Sequence, residues 1–127
     1  MGKPLDLAAI QAAFEAAFAL DTCSPDDLPY WSAENPSRGH CVVASMVLND
    51  LLGGQMVLAE VWRGDEQFGY HYWNRLAGVD IDLTGGQFLP NEEVRNPRPV
   101  DRDPTRATQY DEQYVLFKAR VSRELAK

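Results

Sequence analysis

Residues 41–83 read CVVASMVLNDLL, then GG, then QMVLAEVWRGDEQFGYHYWNRLAGVDIDL, and the change of period across Gly53-Gly54 decides the fold. Before the glycines, Val42, Val43, Met46, Val47, Leu48, Leu51 and Leu52 put apolar side chains around nearly the whole of one helix, 41–52. A helix with that pattern is central and buried. The two glycines supply a left-handed stop. After them the pattern belongs to strands. Residues 55–63 are β-rich, Gly64–Gln67 is a turn, and 68–76 carry Tyr70, Tyr72 and Trp73, which favour strand. Ala77-Gly78 is the tip of a tight hairpin, and Val79-Asp80-Ile81-Asp82-Leu83 returns with strict alternation. The sequence therefore predicts an α+β fold, a central buried helix packed on an antiparallel sheet of three or more strands.

Working outward, residues 6–20 read as an amphipathic helix on Leu7, Ile10, Phe14 and Phe18, with Asp6 as N-cap. Residues 21–40 are mostly loop, rich in turn residues around Ser24-Pro25-Asp26-Asp27 and Pro29. Tyr30 and Trp31 are costly to leave solvated, so this segment is expected to fold back near Cys41. Residues 90–109, with Pro90, Pro97, Pro99 and Pro104, read as a long loop. Thr108 to Asp111 fit a capping box, and Tyr114, Phe117, Val121 and Leu125 form the stripe of a last helix from about residue 109.

The chain has 127 residues, the size of one domain, 1–127, and its 45% hydrophobic and 24% charged residues are those of an ordinary globular protein. A net charge of −7 argues against nucleic acid and anionic membranes as partners and points to a neutral or cationic substrate. No apolar run approaches a membrane span, and Met1–Asp6 lacks the shape of a signal peptide, so the chain reads as cytoplasmic. Its two cysteines, Cys23 and Cys41, are too few for a disulfide framework.

Only two histidines are present, His40 and His71, so any imidazole chemistry must use one of them. Cys41 stands where a loop meets the buried helix, and unpaired N–H groups at a helix start favour the thiolate, the nucleophilic form. The bland alternative is a small apolar residue in a buried helix. A two-residue hairpin loop at Ala77-Gly78 would pair Leu76 with Val79, Arg75 with Asp80, Trp73 with Asp82 and His71 with Thr84. His71, Trp73, Asp80, Asp82 and Thr84 would then share one face, with Asp82 the diagonal neighbour of His71 and Asp80 facing Arg75. A carboxylate on one imidazole nitrogen fixes the tautomer and leaves the other to serve a nucleophile. Cys41 as nucleophile, His71 as base and Asp82 as orienter make the set that acyl transfer through a thioester needs, with amide or ester hydrolysis as the expected reaction. His40, next to Cys41, is expected to point elsewhere. The N–H of Cys41 and the side chain of Asn35 are candidate oxyanion donors, though Asn35-Pro36 also reads as a plain turn opener.

Trp31-Ser32, Asn35-Pro36, Gly39-His40-Cys41, Asn49 to Gly54, His71-Tyr72-Trp73-Asn74-Arg75, Ile81-Asp82-Leu83-Thr84 and Gln87-Phe88 together resemble the YunG-like family of small bacterial proteins. The likeness runs from about residue 30 to 90. The order Cys, His, Asp also resembles the papain-like and transglutaminase-like superfamily, which implies a central helix against an antiparallel sheet. Papain-like enzymes carry an oxyanion glutamine shortly before the cysteine, and Asn35 sits at that spacing. One departure is His40, where the family pattern favours Gln, a change that bears on thiol acidity and the shape of the cleft. The family brings no substrate with it, so the resemblance supports the fold more than the activity.

Two rival readings stand beside the thiol hydrolase or acyl transferase. A metal site on Cys23, His40, Cys41 and His71 lacks chelating spacing, so neither metal nor cofactor is expected. A non-catalytic papain-like domain could instead bind a small molecule or peptide in a groove lined by Trp31, Trp62, Tyr70, Tyr72 and Trp73. Trp31, Trp73 and Asn35 are the candidate substrate-binding residues.

Overall fold

The computed structural model describes residues 6–103 and 105–127. Met1–Leu5, most of the start read above as lacking a signal peptide, and Pro104 of the proline-rich segment lie outside the described residues.

Among the described residues, three α-helices and four strands follow in the order α1 (Leu7–Ala17), α2 (Cys41–Leu52), β1 (Gln55–Arg63), β2 (Glu66–Leu76), β3 (Val79–Ile81), β4 (Glu93–Val100) and α3 (Asp111–Leu125). The fold is α+β, with an antiparallel sheet in the order β3-β2-β1-β4.

Helix α2 explains the rest. On one side it meets α1 and α3, where Ile10, Phe14, Phe18, Val43, Ala44, Val47, Leu48, Phe117 and Val121 form one buried cluster. Phe14 and Phe117 meet edge to face at 5.2 Å, and Phe18 stacks on Phe117 at 5.5 Å, arrangements that add to the burial of apolar area. On the other side α2 packs against β2. There the buried Asn74 amide donates to the Ser45 carbonyl at 2.9 Å, a polar pin between helix and sheet. A helix covered on two sides needs the nearly all-round apolar pattern seen in 41–52.

The local signals act as their chemistry dictates. The Asp6 carboxylate accepts from the Ala9 N–H at 2.7 Å and caps α1. Gly53 and Gly54 end α2 at φ +74° and +82°. A Cβ on Gly54 would sit 2.5 Å from the Arg75 carbonyl oxygen, so only glycine lets the chain turn this close to β2. At the start of α3, Asp111 accepts from the Thr108 N–H and hydroxyl, but the N-cap is Tyr110 without a side-chain capping bond, so the expected capping box forms in the turn before the helix and not at its end.

The hairpin has the expected register where it is paired: Leu76 opposite Val79 and Arg75 opposite Asp80, joined by a 2.6 Å ion pair. The pairing ends at Asn74–Ile81, however, so the expected Trp73–Asp82 and His71–Thr84 pairs do not form. The chain leaves the ladder because the Asp82 carboxylate accepts from the N–H and hydroxyl of Thr84, a local turn that competes with strand.

Other boundaries also differ. Helix α1 stops at Ala17 rather than residue 20, where Thr22 and Ala19 bond each other in a short 3-10 turn. Strand β2 starts at Glu66, two residues inside the expected turn. The largest correction is in 90–109, read as loop. It contains β4, which pairs with β1 despite Pro97 and Pro99. Proline is tolerated there because β4 is an edge strand with partners on one side only. A register shift near Asn96, at φ +56°, accommodates the two prolines, and the Asn96 amide donates to Glu60 at 2.9 Å.

Ala77 sits at φ +51° and Gly78 at φ +79°, both left-handed, as a two-residue hairpin loop requires. An alanine there carries strain that asparagine tolerates better. Ala77→Asn is expected to stabilise the fold by about 0.5–1 kcal/mol, seen as a higher urea midpoint at unchanged m-value. A lower midpoint would contradict this account of the turn.

Candidate functional site

Cys41 is the first residue of α2, and its side chain borders a cleft of about 620 Å³. Tyr30, Arg38, Phe68, Tyr72, Gln87 and Phe88 are among the other walls. The N-cap position is His40, whose side chain makes no capping bond to the helix. The first-turn N–H groups beside Cys41 therefore receive no cap from the His40 side chain.

The His40 side chain is turned into the helical core and is fully buried. Its Nδ1 bonds the Arg38 carbonyl at 2.9 Å and its Nε2 the Thr22 hydroxyl at 2.7 Å. Phe18 and Phe117 pack on its ring at 5.0 and 5.9 Å. Burial lowers its pKa, so this imidazole is held neutral by its surroundings.

His71, in β2, is 1% exposed. Its Nε2 bonds Asp82 Oδ2 at 2.6 Å. The other oxygen of Asp82 is held by Thr84, and Gly85 lies so close that a Cβ there would be 3.2 Å from Oδ2. Phe88 meets the imidazole edge-on at 4.7 Å, and Trp73 tilts over it at 5.4 Å. The remaining nitrogen, Nδ1, is buried and has no hydrogen-bond partner. Burial opposes charge on the ring, but the bond to Asp82 and then the hydrogen-bonding and charge of Cys41 outweigh it, raising His71 to about 9. Cys41 is thus near enough to bias the ring's protonation, although no hydrogen bond of ordinary geometry joins them. The same thiol also acts on Tyr72, whose pKa is raised by burial and then by the charge of Cys41.

The turn after Asp82 also reaches the loop before Cys41. The buried Gln87 side chain donates to the Thr84 carbonyl at 2.9 Å and accepts from the Gly39 N–H at 3.1 Å. The Asn35 amide donates to the Gln87 carbonyl at 2.7 Å. Gly39 holds φ +75°, and a Cβ on it would press within 2.5 Å of Cys23 Sγ, so glycine is required here. Beneath this loop the buried Arg38 pairs with Asp27 at 3.0 Å and with Glu92 at 2.5 Å, and Arg63 adds a second contact to Glu92 at 3.3 Å. Burial also pushes the Cys23 thiol up to about 12, the reverse of what a nucleophile needs.

His71 and Asp82 are thus joined directly, and Cys41 lies near enough to act on the ring. Trp73 covers the imidazole. Tyr30 packs on Phe68 at 5.6 Å and lines the cleft, whereas the Trp31 indole is fixed to the Pro36 carbonyl at 2.9 Å. Neither Trp31 nor Asn35 is among the residues lining that cleft. Among the described residues no three His, Cys, Asp or Glu side chains gather as a metal set, and no helix is long and apolar enough to cross a membrane. The residues that sequence reasoning missed are Gln87 and Glu92. Gln87 carries a weak signal, since it lies in a run already singled out, but Glu92 is one carboxylate among many.

Fold and site define an α+β protein with a cysteine at the start of its central helix and, in and after the sheet, a buried histidine bonded to a partly exposed aspartate. The YunG protein family matches residues 6–126, and the chain belongs to that family. Among relatives, the "Uncharacterized protein YunG" of Bacillus subtilis (strain 168) is 32% identical over 95 residues, covering 75% of this chain and 77% of that protein. No solved structure matches.

A His raised above its unfolded value of 6.5 stabilises the fold fully below that pH, and the contribution is lost as pH rises through about 9. Long-range ¹H–¹⁵N spectra should therefore show His71 protonated on both nitrogens at pH 7.5, titrating near 9, while His40 stays neutral at pH 6.5. Asp82→Asn should move the His71 midpoint down. An imidazole at His71 that is neutral at pH 7 would contradict the stated balance.

Proposed function

We propose that this protein is a thiol hydrolase or acyl transferase of papain-like arrangement, acting on an amide or ester through Cys41, His71 and Asp82. The carrying observation is the His71 ring: buried, with Nε2 held by Asp82 and Nδ1 left without a partner beside Cys41. A buried polar atom without a partner costs on the order of 1–3 kcal/mol, and a catalytic role is one reason a fold keeps such an atom.

In this reading His71 holds the thiol proton on Nδ1, and the Cys41 sulfur attacks the substrate carbonyl carbon. The C–S bond forms while the carbonyl π pair moves to oxygen. First-turn N–H groups of α2, including that of Cys41, receive the oxyanion. Collapse breaks the bond to the leaving amine or alcohol, which takes the proton from Nδ1. Water then attacks the thioester, gives its proton to His71, and the acid leaves with the thiolate restored; another nucleophile in place of water gives transfer. Asp82 holds the ring in the tautomer and orientation these steps use. Asn35 enters through Gln87 and the Gly39 loop, supporting the peptide that leads into Cys41 rather than touching substrate. Trp73 and Phe88 shield the imidazole from water.

Iodoacetamide should alkylate Cys41 well below pH 8, while Cys23 stays unmodified in the folded protein. Turnover of a panel of amides and esters should fall to background in Cys41→Ala and drop by about 10²-fold or more in His71→Gln. Ordinary thiol reactivity at Cys41, with no turnover on the panel and no cellular effect of Cys41→Ala, would overturn catalysis and leave the non-catalytic binding domain.

A further inference from the structure

A second cavity, of about 760 Å³, lies between α2, β1 and α3. It is within the ~300–1,000 Å³ range of small-molecule sites. Three residues, Val42, Tyr72 and Tyr110, line both this cavity and the cleft of Cys41. Two of them directly follow Cys41 and His71 in the chain, so the cavity begins one residue from the reactive pair. Beyond this shared wall the lining includes Met46, Met56 and Leu58.

Part of the charge around the cavity is already paired. Arg102 pairs with Asp50 at 2.6 Å and donates to the Met46 carbonyl at 2.9 Å, and Lys118 pairs with the same carboxylate at 2.8 Å. Tyr114 also donates to Asp50. A charged group reaching for Arg102 or Asp50 would have to break these bonds. Val42, Met46, Met56, Leu58 and Val100 make its α2 and sheet side apolar, with two methionines whose flexible thioethers adjust to chains of varied shape, while Asp101, Asp103 and Arg106 line it from the loop before α3.

We propose that this cavity seats an aliphatic acyl group, making the substrate a neutral fatty-acyl amide or ester whose carbonyl lies at Cys41; this rests on the thiol acyl-transfer reading above. The acyl half is the part that must stay while the leaving group departs and water enters. A hydrocarbon anchored beyond Val42 and Tyr72 keeps it in register through both steps.

The test uses p-nitrophenyl acetate and p-nitrophenyl octanoate, with acylation of Cys41 followed by mass spectrometry and each rate divided by that of free glutathione. The sulfur–carbonyl bond forms, the ester C–O bond breaks and nitrophenolate leaves. Alongside it, reversible binding of octanamide is followed by NMR shifts of the methionine methyls. The expected result is an octanoyl-to-acetyl ratio of at least about tenfold, with octanamide binding, and collapse of both in Leu58→Trp or, should that variant not fold, in Leu58→Phe; a tenfold ratio corresponds to 1.4 kcal/mol. A ratio near one in the unmodified protein, or a ratio and binding untouched by the filled cavity, overturns the assignment. If neither ester acylates Cys41, the catalytic reading falls by itself. Octanamide binding lost on filling the cavity would then uphold the apolar site, and no binding would overturn it as well.

Discussion

Burial of helix α2 on two sides is the constraint on which the structure depends. Val43 to Leu48 are all buried, so the helix position is fixed by the Phe14, Phe18 and Phe117 cluster and by the sheet together. A helix set so firmly has an end that cannot wander. Cys41 occupies that end, and the groups that surround it come from the sheet and from the loops on either side. Pre-positioning of this kind costs folding energy once and spares it at each encounter with a substrate.

The two histidines show how environment assigns role. Both are almost fully buried, yet their charges are driven in opposite directions. His40 gives both nitrogens to a neutral carbonyl and a hydroxyl among phenylalanines, so desolvation wins. His71 meets a carboxylate that is itself about a third exposed and held by Thr84, so attraction wins. His40 thus puts no second imidazole in the cleft, because that side chain is absorbed by the core.

Much of this was legible before the structure. The period change at Gly53-Gly54 marked helix and sheet, and the Ala77-Gly78 tip set the register that brings Asp82 toward His71. The route by which Asp82 arrives was not legible. A strand diagonal and an Asx turn put the carboxylate in the same neighbourhood, and only the Thr84 bonds separate them. Strand β4 was hidden because prolines argue against strand in general, and edge position is a tertiary fact. Glu92 and Gln87 were hidden for a different reason: their partners, Arg38 and Gly39, lie about half the chain away, and no local spacing records such a pairing.

Strand β4 also bears on how copies of this protein meet. Unpaired edges of a sheet invite strands from other molecules. Here one outer strand carries Pro97 and Pro99, which have no N–H to offer, and a left-handed Asn96 that breaks its line. The opposite edge, β3, is only three residues long before the chain turns aside. The β4 border gives a visiting strand no long, regular ladder to join, whereas beyond β3 the stretch of β2 from Glu66 to Trp73 has no strand partner on that side. On the β4 side the missing N–H groups and the break at Asn96 work against the edge-to-edge stacking that begins fibril growth.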